Sequence, residues 1–509
     1  MKNYKELKSG SDVRGYASDI FGNEIDLTDE AVYDIAAAFV PFLSKKSGKE
    51  PTKLMVSVGH DSRITAERIK ERVIAALTAA GVRVLDCGLS STPAMFMTTV
   101  KLGCDGAVQI TASHHPADRN GLKFFLPEGG LDSSDIAEIL AAAEGSEKAP
   151  ESCGSVEKID FMTEYSAILR KLICDELGVK EEDKPLSKYH IVVDAGNGAG
   201  GFYADKVLEP LGADISGSIY LEPDGMFPNH IPNPENAVAM ASISDAVINS
   251  NADLGVIFDT DVDRAGCVDP DGVEINRNRL VALAAAIALE KEPGSTVVTD
   301  SVTSAGLKEF IEDVLGGKHH RFKRGYKNVI NEAVRLCAEG VNAPLAIETS
   351  GHAALKENYF LDDGAYLVTK IIIKMAKLGA EGKSISDLTA ALKIPAEEKE
   401  MRFNIMVEDF RTYGECVIEG LERWCDAFKE KGFKIADDNR EGIRVSVEDG
   451  WFLLRLSVHD PVMPMNIESD SVGGVKRIVE LIADFFRNCQ FLDVSAMEEF
   501  LREDKEDEF

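Results

Sequence analysis

Short runs of aliphatic and β-branched residues recur along the chain and stop abruptly in loops of small and polar residues. They are Leu54-Met-Val-Ser-Val58, Gly106-Ala-Val-Gln-Ile110, Ile191-Val-Val193, Leu254-Gly-Val-Ile-Phe258, Thr296-Val-Val298 and Leu345-Ala-Ile347. Continuous apolar runs of this length suit strands buried on both faces, and the stretches between them read as helices. The alternation predicts an α/β architecture with mixed, largely parallel sheets, in which ligands gather beyond the carboxyl ends of the strands.

A unit of strand, small-residue loop, helix and second strand ending in a chemically loaded loop appears three times. The loaded loops are Thr111-Ala-Ser-His-His-Pro116, Asp259-Thr-Asp-Val-Asp-Arg264 and Glu348-Thr-Ser-Gly-His352. Their uneven spacing predicts three similar domains, 1–154, 155–271 and 272–395, and not a solenoid. Beyond Pro395 and the charged run Glu397-Glu-Lys-Glu400 the pattern turns to alternation, as in Trp451-Phe-Leu-Leu-Arg-Leu456. Residues 396–509 therefore read as a smaller α+β domain.

The length supports this division, because 509 residues exceed the ~250–300 over which one core keeps growing. A formal net charge of −31 argues against binding nucleic acid or an anionic membrane surface, both of which need clustered Lys and Arg. An anionic small substrate would instead need local clusters of Arg, Lys and His. No apolar run reaches the ~18 residues of a membrane span, and the expected location is cytoplasmic. Nine cysteines without a C-x-x-C pair predict reduced thiols.

In Asp259-x-Asp261-x-Asp263, carboxylates recur at every second residue beyond a strand, and an extended backbone would send all three to one side. Three such anions repel strongly without a cation between them, and hard oxygen ligands suit Mg²⁺. An EF-hand is excluded, because its sixth position would be Arg264 and its twelfth Pro270. Ser113 follows an apolar strand and is closed by His114-His115-Pro116, which places its hydroxyl on a tight, exposed turn. No G-x-S-x-G elbow surrounds it. Next to a Mg²⁺ site, a serine suggests phosphoryl transfer.

Glu348-Thr-Ser-Gly-His352 offers a carboxylate, hydroxyls and an imidazole, a set that matches sugar hydroxyls and proton exchange. Phe322-Lys-Arg-Gly-Tyr-Lys327 could steer a phosphate. Gly196-Asn-Gly-Ala-Gly-Gly201 fits G-x-G-x-x-G after a strand, but reads better as a Gly-rich turn than as a dinucleotide site. Gly382-Lys-Ser384 lacks the first P-loop glycine, whose place holds Lys377.

Together these loops resemble the α-D-phosphohexomutase family, which includes phosphoglucomutase/phosphomannomutase. The resemblance runs through Ser11-Asp-Val-Arg-Gly15, the serine loop, Asn120-Gly-Leu-Lys123, the Asp loop, Lys323-Arg-Gly-Tyr-Lys327, Glu348 to His352, Asp362-Asp-Gly364 and a closing phosphate loop. It implies three α/β domains and a fourth smaller one around a central cleft. It makes Ser113 the phosphoserine, with Asp259, Asp261, Asp263 and a phosphoserine oxygen holding Mg²⁺. Arg14, His114 and Lys123 would surround the transferring phosphoryl group, with Lys123 and His352 exchanging protons. Glu348 and Ser350 would grip sugar hydroxyls, Arg324 and Lys327 would lie near the ligand, and Arg455, Ser457 and His459 would take the distal phosphate.

The implied reaction interconverts hexose 1-phosphate and hexose 6-phosphate through a 1,6-bisphosphate, which also serves as activator. Three positions depart from the pattern. Arg455-Leu-Ser-Val-His-Asp-Pro461 carries Val458 and His459 where a small residue and a threonine are usual, and His115 replaces an asparagine. Thr349 stands where phosphoglucosamine mutases carry Gln, which favours glucose and/or mannose 1-phosphate over glucosamine. The other reading left open is a noncatalytic phosphosugar-binding homologue.

Overall fold

The computed structural model describes residues 3–145, 154–457 and 460–503. By contact density the chain divides into two units, Met1–Ala288 with Pro344–Thr389, and Leu289–Ala343 with Ala390–Phe509.

The first unit begins with a mixed sheet. Met55–His60 runs parallel to Arg83–Leu89 on one side and Gly106–Ile110 on the other, while Arg119–Leu126 and Asp12–Tyr16 continue it antiparallel. The helices Asp29–Ser47, Ala66–Ala79 and Ser133–Glu144 share its apolar core. The first starts where Thr28 accepts a hydrogen bond from the Ala31 amide and stops at Gly48, which is left-handed. Phe39 and Phe124 pack there with ring centroids 4.6 Å apart. Burying aromatics of this size contributes about 1.5–3 kcal/mol each.

A second sheet pairs Leu254–Phe258 parallel with Ile191–Asp194 and antiparallel with Ala265–Val268. The strands Leu345–Ile347, Ala353–Leu355 and Leu361–Asp362 form an antiparallel meander that leads into the helix Gly364–Ala380. Asp363 caps that helix by accepting from the Tyr366 amide at 2.8 Å and also takes the Tyr165 hydroxyl.

In the second unit, Thr296–Thr299 runs parallel to Lys318–Arg321. The C-terminal sheet is wholly antiparallel, in the order Lys434–Ile435, Ile443–Val447, Gly450–Leu454, Val462–Ser469, Glu397–Ile405, Leu492–Asp493. Buried positions of Phe410–Ala427 and Gly474–Arg487 complete its core. This is the α/β fold with a strand-rich C-terminal domain that the apolar pattern predicts. Among the described residues, no helix is long and apolar enough to cross a membrane.

The Gly-rich turn after Ile191–Asp194 has a structural purpose. The amides of Gly196, Asn197, Gly198 and Ala199 donate to Asp194 Oδ1, Tyr220 O, Ala195 O and Thr260 O, at 2.8 to 2.9 Å. They are spent internally and cannot cradle a pyrophosphate. A Cβ on Gly198 would lie 2.6 Å from the Thr260 carbonyl oxygen, so glycine is needed where this turn backs the Asp loop.

The same turn is braced by His230, whose Nε2 lies 2.9 Å from Asp194 Oδ2. Burial alone would depress the His230 pKa, but the Asp194 carboxylate and the Ile231 carbonyl raise it above its usual value. A raised folded pKa means that the stabilisation is complete below the unfolded value of about 6.5 and is lost as pH rises through the folded one. The urea midpoint of wild type should therefore fall between about pH 6 and pH 9 relative to that of His230→Gln. Parallel pH curves for the two proteins would show that the pair contributes nothing.

Candidate active site

The serine loop begins where the strand Gly106–Ile110 ends. Thr111 Oγ1 accepts from the Ser113 amide at 2.9 Å, and the His115 amide donates to the Ala112 carbonyl at 3.2 Å, closing a tight turn. Ser113 sits at φ 53°, a left-handed conformation that costs a non-glycine residue about 1 kcal/mol or more. The turn is tight as expected, but it is buried: Ser113 is 4% exposed. Charged groups close over it, which the local sequence does not reveal.

What holds the loop is Arg63, a buried residue that sequence reasoning missed. Its guanidinium donates to the carbonyls of Pro116 and Arg119 at 2.7 and 2.8 Å, to that of His115 at 2.6 Å, and to that of Ser113. Asp61 lies 3.3 Å from its Nε. The available signal was Gly59-His-Asp-Ser-Arg63, an ionic pair placed directly at the end of an apolar strand.

Asp259, Asp261 and Asp263 converge with oxygens within 4.8 Å of one another, but not through an extended backbone. The segment after Phe258 is a turn in which Val262 adopts φ 68°, a true outlier for a β-branched residue. It is held by the Gly364 amide donating to Val262 O at 3.1 Å. A Cβ on Gly364 would meet the Arg264 carbonyl carbon at 2.7 Å.

Each carboxylate has its own partners. Asp259 Oδ2 accepts from Arg264 Nε at 3.1 Å and from the Ser113 hydroxyl at 3.2 Å. Asp261 Oδ2 accepts from Lys123 Nζ at 3.0 Å and from the Thr92 hydroxyl. Asp263 Oδ2 accepts from Lys123 Nζ at 2.5 Å. That leaves Asp261 Oδ1 and Asp263 Oδ1 buried without a hydrogen-bond donor. Orphaned carboxylate oxygens in an all-oxygen set fit a hard divalent cation, and this cluster could hold a metal ion.

Burial, then Asp263 and Asp261, push the Asp259 carboxyl well above the usual carboxylate range. Burial would also raise Asp263, but Lys123 and then His352 outweigh it and hold Asp263 far below that range. Arg264 reaches back over the serine, with its guanidinium 3.1 Å from Ser113 Oγ and 2.5 Å from His114 Nδ1. Burial and the Arg264 charge drive the His114 pKa down to about 2, and burial with Arg14 takes His115 to about 3. Both rings are therefore neutral at physiological pH.

Arg14 lies on Asp12–Tyr16 opposite Gly121, two residues from Lys123 on the adjoining strand, and pairs with Asp12 at 2.8 Å. His352 Nδ1 is 2.5 Å from Asp362 Oδ2 and 3.8 Å from Asp263 Oδ1. Burial opposes its charge, yet Asp362 and Asp263 together push its pKa up to about 9. It is thus an imidazolium near neutral pH. The loop that carries it touches the Asp loop directly, with the Ala265 amide donating to Gly351 O at 3.4 Å. Glu348 Oε2 accepts from the Ser350 hydroxyl at 3.5 Å. Ser113, His114, Lys123, Arg14, His352, Glu348, Ser350 and the three aspartates all fall in the first unit.

Arg324 and Arg455, expected near the ligand and at the distal phosphate, both lie beside one carboxylate of the second unit. Glu441 Oε2 accepts from the Arg324 amide at 3.1 Å and the Ser301 hydroxyl at 2.6 Å, and Glu441 Oε1 lies 3.9 Å from Arg455. Ser457 Oγ accepts from the Asp460 amide at 3.2 Å. Lys327 lies in the first turn of the helix Tyr326–Ala338. Val458 and His459 lie outside the described residues.

An α/β fold that presents a serine, an aspartate cluster, Lys123 and an imidazolium together fits the class of phosphoryl-transfer enzymes. Comparison narrows the class. The chain matches domains I, II and III of the family described as phosphoglucomutase/phosphomannomutase, alpha/beta/alpha, over residues 6–149, 169–272 and 276–394. A phosphomannomutase/phosphoglucomutase of Pseudomonas putida is 30% identical over 427 residues, covering 84% of this chain and 86% of its own. A phosphoglucomutase/phosphomannomutase of Thermococcus kodakarensis is 31% identical over 475 residues, covering 92% and 96%. The crystal structure of a family protein from Burkholderia thailandensis superposes with a TM-score of 0.75 at 25% identity, covering 98% of each chain.

The chain belongs to the phosphoglucomutase/phosphomannomutase branch of the α-D-phosphohexomutases. It is a hexose-phosphate mutase, an enzyme of the isomerase class.

Proposed function

We propose that this enzyme interconverts the 1- and 6-phosphates of glucose and/or mannose through a phosphorylated Ser113, with Mg²⁺ at Asp259, Asp261 and Asp263. The observation that carries the reading is the Ser113 hydroxyl, which donates to Asp259 and accepts from Arg264 at the edge of a carboxylate cluster with two undonated oxygens. The bound cation would neutralise charge on the transferring phosphoryl group.

Around it, Arg264 directs a guanidinium at Ser113 Oγ, and Arg14 and Lys123 add positive charge from neighbouring strands. Phosphoserine gives its phosphoryl group to the free hydroxyl of hexose 1-phosphate. The hydroxyl proton leaves as the new P–O bond forms, and the bisphosphate, after turning over, returns its other phosphoryl group to Ser113. His352, with its pKa pushed up to about 9, suits the donation of a proton, and Lys123 is the second group assigned to proton transfer, able to take one up only once its own ammonium has released one.

Glu348 and Ser350 are assigned to the sugar hydroxyls. Arg455, Ser457 and His459 are assigned to the phosphate not under transfer, and Arg324 and Lys327 to contacts with the ligand. Hexose 1,6-bisphosphate serves as activator by loading Ser113. Domains of 1–154, 155–271, 272–395 and 396–509, and a cytoplasmic location, complete the reading.

The test is phosphorus NMR of protein, Mg²⁺ and trace hexose 1,6-bisphosphate presented separately with glucose, mannose, glucosamine and N-acetylglucosamine 1-phosphates. Conversion of glucose or mannose 1-phosphate to the 6-phosphate is expected. Exclusive conversion of an amino sugar would move the substrate to the phosphoglucosamine class. No conversion by folded protein would leave a phosphosugar-binding protein.

A further inference from the structure

The three aspartates differ in what holds them. Asp259 is paired with Arg264, and Asp263 with Lys123. Asp261 shares Lys123 but has a second partner, Thr92, that carries no charge. Thr92 is the first residue of the helix Thr92–Lys101, which Ser91 caps by accepting from the Ala94 amide. Its own amide is among those that a helix leaves without an intrahelical acceptor. It donates instead to the Asp261 carbonyl at 2.8 Å, while its hydroxyl donates to Asp261 Oδ2. Thr92 is 3% exposed and Asp261 is fully buried, so water does not compete for either bond.

We propose that Thr92 is a positioning residue for the metal site, fixing the Asp261 carboxylate so that Oδ1, which accepts no hydrogen bond, is presented to the cation. The inference rests on the metal reading of the aspartate cluster. Lys123 also holds Oδ2, but its ammonium is repelled by an arriving divalent ion. A hydroxyl is not, and it keeps its grip on Asp261 when the site fills. Partners behind a metal ligand of this kind typically change affinity by about 10- to 100-fold when removed.

The probe is Mn²⁺, titrated into the whole protein and followed by the electron paramagnetic resonance signal of the free ion. Thr92→Val keeps the size, the helix and the backbone bond and deletes only the hydroxyl donor. Its Mn²⁺ dissociation constant should rise about 10- to 100-fold. Thr92→Ser should restore it to within about threefold, and the loss of kcat in Thr92→Val should be recovered at saturating Mn²⁺. Asp261→Asn should lose Mn²⁺ binding in the same assay.

Wild-type affinity in Thr92→Val, with Asp261→Asn impaired, overturns the role of Thr92 and leaves the metal site standing. Wild-type affinity in both variants removes the metal reading itself. Equal weakening in Thr92→Val and Thr92→Ser assigns the effect to packing and overturns the proposal. Should Thr92→Val not fold, the Thr92→Ser and Asp261→Asn titrations still decide: an affinity in Thr92→Ser as poor as in Asp261→Asn overturns the proposal, and one within about threefold of wild type supports it.

Discussion

Ser113→Ala is expected to lose turnover of hexose 1-phosphate by at least about 10⁴-fold, the scale seen when a nucleophile is deleted. The Ser113 hydroxyl oxygen lies between Arg264 and Asp259, at 3.1 and 3.2 Å, on a backbone held left-handed at φ 53°. The neighbouring His114 ring is already engaged, its Nδ1 accepting from Arg264 at 2.5 Å and its face stacked on His115 with centroids 5.2 Å apart. The variant should also fail to take up phosphate from a hexose bisphosphate, as read by mass spectrometry, while still binding Mn²⁺ through the aspartates. Turnover within tenfold of wild type, from protein free of wild-type contamination, would falsify the phosphoserine route. Lost turnover together with lost Mn²⁺ binding would instead point to a collapsed loop.

Lys123→Met is expected to move two quantities in opposite directions. Lys123 is 4% exposed and its ammonium lies 3.0 and 2.5 Å from Asp261 and Asp263. Its removal leaves buried carboxylates uncompensated, a change that typically costs about 3–5 kcal/mol. The unfolding temperature in chelator should therefore fall. The same loss removes a positive charge that competes with an incoming cation. At an effective dielectric near 20, charges about 4 Å apart interact by roughly 4 kcal/mol, so Mn²⁺ binding should tighten by about tenfold or more even after partial compensation. Turnover should nevertheless drop by about 10²–10⁴-fold, the contribution of a positioned proton-transfer group. Calorimetry and steady-state rates on one preparation test the pair of effects. Weaker Mn²⁺ binding would mean that Lys123 organises the aspartates and does not compete for them.

Most of the fold was legible because strands such as Gly106–Ile110, Leu254–Phe258 and Leu345–Ile347 are short apolar runs with abrupt ends. The aspartate loop was legible by residue type alone, since three carboxylates so close call for a cation. Its geometry was not: alternation suggested an extended strand, whereas a left-handed Val262 turns the chain, and no propensity favours that conformation for valine. Arg63, Thr92 and the reach of Arg264 to Ser113 were illegible for another reason. Thr92 and Asp261 are 169 residues apart, and Ser113 and Arg264 are 151 apart, so only the folded chain brings them together. The charge states of His114 and His352 were hidden likewise, because opposite shifts on two similar side chains come from burial and Arg264 in one case and from Asp362 with Asp263, against burial, in the other.

The division of the chain separates two sets of residues. Every group assigned to moving the phosphoryl unit belongs to the first unit, while Arg324, Lys327, Arg455 and Ser457 belong to the second. The partners that hold the Arg63 clamp and the aspartate cluster all lie in the first unit. The Val458-His459 departure therefore falls in the unit that carries none of the groups assigned to the phosphoryl transfer.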